Sequence, residues 1–75
     1  MTAAAEYRRV QGEIRNLVDR FPEVVDAHVA RQETTPAYWS HTADLKRARL
    51  DLLHVMAFLG DLEAKEQLHA EGESR

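Results

Sequence analysis

The chain has 75 residues, ten of them basic and thirteen acidic, for a net charge of −3. That length allows one domain, and a domain so small buries only about 60% of the surface its unfolded chain exposes. The absence of cysteine excludes disulfides and thiolate metal sites and fits a reducing compartment, so the chain is expected in the cytoplasm. Residues 61–75 carry five acids against Lys65 and Arg75, and the other residues balance, so the whole chain lacks the basic footprint of nonspecific nucleic-acid binding. The opening MTAAAEYRRV has no apolar signal core. The longest apolar run, Leu52 to Gly60, is interrupted by His54 and falls far short of the roughly 18 residues a membrane span needs.

Strand-like alternation is absent and helical periodicity runs nearly throughout. The first helix is expected over about 3–20, capped by Thr2. Its apolar positions Tyr7, Val10, Ile14, Leu17 and Phe21 step by threes and fours, as in a coiled-coil seam, with Val18 widening it. Pro22 lacks an amide proton and clashes with the carbonyl of Val18, which predicts a break or kink near Arg20–Phe21 and a second helix over about 22–33. The seam nevertheless keeps its register beyond the proline, through Val24 or Val25, His28 or Val29, and Gln32. A kink, or two helices nearly in line, is therefore favoured over a reversal. The sequence Thr35-Pro36 reads as a cap and first helical residue, opening a third helix over about 36–59. Gly60 ends it in the left-handed conformation, and Asp61 caps a short fourth helix over about 61–70. The expected fold is all-α: a helical hairpin or a three- to four-helix bundle, completed by homodimerisation.

The third helix has two apolar seams. One reads Leu45, Ala48, Leu52, Val55, Leu59, Leu62; the other Leu50, Leu53, Ala57, with Met56 between them. A polar strip, Ser40, Asp44, Arg47, Asp51 and His54, continues to Asp61 and Lys65, with Phe58 as its one interruption. A helix apolar over most of its circumference is covered on several sides. A second copy of the chain is the simplest cover, with Leu45, Leu52, Leu53, Met56 and Leu59 as the dimer core.

Each candidate site competes with a plainer explanation. Asp51-Leu-Leu-His54 and Glu66-Gln-Leu-His69 share the acid-x-x-His spacing of di-iron bundles, for which Glu13, Asp19 or Glu23 would supply the further carboxylates. Ligands in such sites point into the core, whereas Asp51 and His54 fall on the polar strip and Glu66 and His69 in the acidic tail. No metal and no cofactor is expected. His28, at or beside the seam, is either a boundary residue or a pH-sensitive contact. His41 follows Tyr38, Trp39 and Ser40, and no histidine is accompanied by a cysteine or a glycine-framed serine, so no enzyme is expected. Lys46, Arg47 and Arg49, with Arg8, Arg9 and Arg15, form the one possible nucleic-acid patch. Asp44 and Asp51 interleave its cations, and no glycine-bearing turn precedes it.

Tyr38 and Trp39 are adjacent and cannot share a face, so one is left for a surface contact, and these residue types are enriched at binding hot spots. The sequence thus points to a non-enzymatic interaction module, an adaptor, inhibitor or regulator of a larger protein that works by helix-face docking. Its partner surface is expected at Tyr38 or Trp39, Phe58, and the neighbouring Arg47, Asp51 and His54. A small nucleic-acid-binding regulator and a metal-binding bundle are the alternatives.

Overall fold

The computed structural model describes residues 2–37 and 39–72. The described residues are all-helical, with no strand: α1 spans Ala3–Thr34, α2 Trp39–Phe58 and α3 Leu62–Ala70. They fall into two compact units, one within residues 1–37 and the other within 38–75.

The first unit is α1. Thr2, in extended backbone conformation, caps it by accepting a hydrogen bond from the Ala5 amide at 3.1 Å. On the outer surface of the first turns, Arg9 pairs with Glu6 and with Glu13, three and four residues away. The helix then runs unbroken through Pro22. The expected pair of helices, 3–20 and 22–33, is thus a single element of 32 residues. The reason is the balance of terms. Proline removes one hydrogen bond from a ladder of many, at about 3 kcal/mol, while a continuous helix keeps the apolar seam in register on both sides. At the far end the hydroxyls of Thr34 and Thr35 both donate to the Arg31 carbonyl, at 2.7 and 3.2 Å, and the Thr35 amide closes on Gln32. Residues 35–37 are non-helical, so Thr35 finishes α1 instead of opening the next helix at Pro36. Tyr38 lies outside the described residues.

The second unit is the α2–α3 hairpin. Its corner is a Schellman turn. Gly60, at φ +109°, donates to the Ala57 carbonyl, and the Asp61 amide reaches the Met56 carbonyl, both at 3.0 Å. Asp61 then caps α3 by accepting from the Ala64 amide at 3.3 Å. One residue therefore closes one helix and opens the next, and α3 folds back to pack on α2. The residues most removed from solvent are Ala64 and Leu68 of α3, at 1% and 5% exposure. On α2, Leu50, Leu53, His54 and Ala57 are half-buried. Their spacing of three and four residues puts them on one face.

Candidate functional site

Of the two apolar seams of α2, the one through Leu50, Leu53 and Ala57 is half-buried along its length. The other lies about half a turn around the helix, and of its members Ala48 is half-buried while Leu45, Leu52, Val55, Leu59 and Leu62 are exposed, as is Met56. The expected dimer core is split accordingly: Leu45, Leu52, Met56 and Leu59 are exposed, and Leu53 is half-buried on the opposite face.

The expected partner surface is a strip down the remaining side of α2. Arg47 and Asp51 lie 3.7 Å apart, and Asp51 and Phe58 are exposed. Phe58, at 88% exposure, is the most exposed large apolar side chain of the described residues, and Trp39, at 81%, is the next. They stand at the two ends of α2, about 28 Å apart along its axis. Scattered single apolar residues are ordinary on surfaces. Phe58 lies on the charged strip, beside an uncovered leucine seam, while Trp39 falls in line with Ala57 at the opposite end of the helix. His54, expected in solvent with that strip, is half-buried because it borders the face that carries Leu50, Leu53 and Ala57.

The metal alternative gains no geometry from its two acid-x-x-His segments. On α3, Ala64 and Leu68 are the buried positions. Glu66 lies about 200° around the helix from Ala64, on its outer side, and both Glu66 and His69 are exposed. The two segments therefore do not converge.

Three of the six basic candidates lie beside acids. Arg9 holds Glu6 and Glu13, Arg47 lies beside Asp51, and Arg49 makes a two-pronged contact with Glu71 at 3.0 and 2.6 Å. This last pair joins α2 to the end of α3. The hydrogen bonds from Arg49 hold the Glu71 carboxyl below the usual carboxylate range, and Glu71 in turn raises the affinity of the guanidinium for its proton. Hydrogen bonding to Glu6, helped by the charge of Glu13, does the same for Arg9. Each of these cations already has a carboxylate to leave before it can meet a phosphate.

No family model, no curated protein and no solved structure matches this chain. No described helix is long and apolar enough to cross a membrane.

On α1, Tyr7, Val10, Ile14, Leu17, Phe21 and Val24 are between 37% and 74% exposed, and no described residue of the helix is buried. The seam was visible in the sequence as a stripe of threes and fours. Its importance as a surface was not, because periodicity says which residues share a face and not whether anything covers it.

Proposed function

We propose that this chain is a non-enzymatic helical interaction module of the cytoplasm that works as a homodimer and docks on a larger protein. One observation carries the reading: among the described residues only Ala64 and Leu68 are buried, while regular apolar seams on α1 and α2 remain exposed. Exposed apolar patches of this kind mark interaction surfaces, and small scaffolds commonly gain their missing core by association. A two-fold dimer uses the same seam twice. Leu45, Leu52, Met56 and Leu59 are the α2 residues suited to it. Trp39 and Phe58, with Arg47, Asp51 and His54 on the strip beside Phe58, are the residues left over for a partner. They combine the aromatic anchors and charged rim usual at docking surfaces.

Sedimentation equilibrium of the full chain at micromolar concentration tests the reading. The expected mass is twice that of the chain, and Leu52→Asp shifts the population toward monomer. A monodisperse monomer under those conditions removes the homodimer.

A further inference from the structure

The exposed seam of α1 carries more information than its apolarity. We infer that α1 pairs with α1 of a second copy in antiparallel orientation, in one register that sets Ile14 of each chain against Leu17 of the other. This rests on the homodimer reading and specifies how the first unit takes part in it.

Three properties of the seam select the arrangement. The first is size. With Ile14 opposite Leu17 of the copy, Val10 meets Phe21 and Tyr7 meets Val24. Each large aromatic then faces a small β-branched residue, which fills a layer without void or overpacking. A parallel pairing stacks Tyr7 on Tyr7 and Phe21 on Phe21, each next to a valine-on-valine layer at Val10 or Val24, so overfilled and underfilled layers adjoin.

The second is charge. In an antiparallel pair the flanking residues one place before Tyr7, Ile14 and Phe21 face the same class of position on the partner: Glu6, Glu13 and Arg20. In the proposed register Glu13 of each chain lies beside Arg20 of the other, giving two symmetric ion pairs. Side chains lean toward the N-terminus of their own helix, and in opposed helices this brings the two groups together. Sliding one chain by a heptad in one direction keeps two attractions, Glu6 with Arg20, but sets Glu13 against its own copy and breaks the aromatic–valine layers, with Tyr7 meeting Leu17 and Val10 meeting Ile14. Sliding it the other way sets Arg20 against its own copy. In the parallel arrangement Glu13 and Arg20 face Val18 and Val25 and gain no ionic partner.

The third is exposure. The register uses Tyr7 to Val24, the stretch whose seam residues are all exposed, and leaves out the half-buried Val25, His28 and Gln32. Pro22 is one place off the seam, and Gly12 lies on the outer surface, so neither enters the contact.

A charge-swap cycle on the full chain, read by sedimentation equilibrium, tests this. Glu13→Arg and Arg20→Glu each replace two attractions with two repulsions, and each is expected to weaken the dimer about tenfold. The double variant is expected to dimerise more tightly than either single variant, short of the parent by the intrahelical Arg9–Glu13 pair that Glu13→Arg gives up. A second measurement fixes the direction. A nitroxide on Ala5→Cys, read by pulsed electron resonance, is expected to report copies offset by about 32 Å along the axis, since 21 residues then separate equivalent positions. A parallel pair shows no axial offset. A dimer that shows no rescue in the double variant, or a label distance without that offset, overturns the antiparallel pairing and leaves the homodimer standing. A monomer at every concentration removes both.

Discussion

Single residues carry opposite signs of the same backbone argument in this chain. Gly60 sits at φ +109°, where a side chain is strained, and it makes the corner between α2 and α3. Gly60→Ala is expected to destabilise the hairpin by about 1–2 kcal/mol, read as a lower denaturant midpoint. Gly12 sits inside α1 with nothing within 4 Å of the position a Cβ would take. Gly12→Ala is therefore expected to stabilise the chain by about 1 kcal/mol and to leave its mass in solution unchanged. The two substitutions together separate conformational strain from the general helix preference for alanine. Residue-level features such as these were the most legible in the sequence. The caps at Thr2 and Asp61 and the left-handed Gly60 depend on one side chain and its nearest amides, so residue type alone announces them. His54 was less legible. The periodicity placed it on a polar strip, but whether that edge of the strip stays wet depends on which apolar face of α2 is covered, and both faces are leucine-rich.

Elements are governed by sums, and here local rules mislead. Pro22 signals a helix end by every local criterion, yet α1 continues through it. The better signal was the seam, which keeps its register from Phe21 to Val24 and beyond. Pro22→Ala restores the missing hydrogen bond to the Val18 carbonyl and removes the ring clash. It is expected to raise the helical ellipticity of the chain and its thermal midpoint. The end of α3 offers a pH test. Glu71 ionises more readily in the folded hairpin than in the unfolded chain because Arg49 binds its carboxylate. A lowered folded-state value means that the pair stabilises the hairpin above the ordinary carboxylate range and loses that contribution as pH falls through the folded value. The helicity of the hairpin should thus decline on acidification from about pH 5 downward. Glu71→Gln should remove that part of the decline, measured by ellipticity at matched ionic strength. Both groups are solvent-exposed, so added salt should diminish the difference between the two proteins.

At the scale of the whole molecule the two units differ in what holds them. The α2–α3 hairpin has a small core of its own around Ala64 and Leu68, a capped corner and the Arg49–Glu71 clasp. The other unit is one helix with a cap, surface ion pairs and no buried residue. Isolated helices are marginal in water, and most helical stability in proteins comes from burying an amphipathic face. If that face is buried by a second copy, the stability of α1 follows the law of mass action while that of the hairpin follows it much less closely. Dilution then acts as a selective denaturant. Hydrogen exchange measured at two concentrations a hundredfold apart should show the amides from Val10 to Phe21 losing protection in the dilute sample. Those of Leu53, Ala57 and Leu68 should change far less. The contrast is internal to one molecule, so it is insensitive to errors in absolute exchange rates. Protection of α1 that is independent of concentration would mean that its seam is not covered by a second copy. Loss of protection in both units together would mean that the core around Ala64 and Leu68 does not hold the hairpin once the leucine seam of α2 is uncovered.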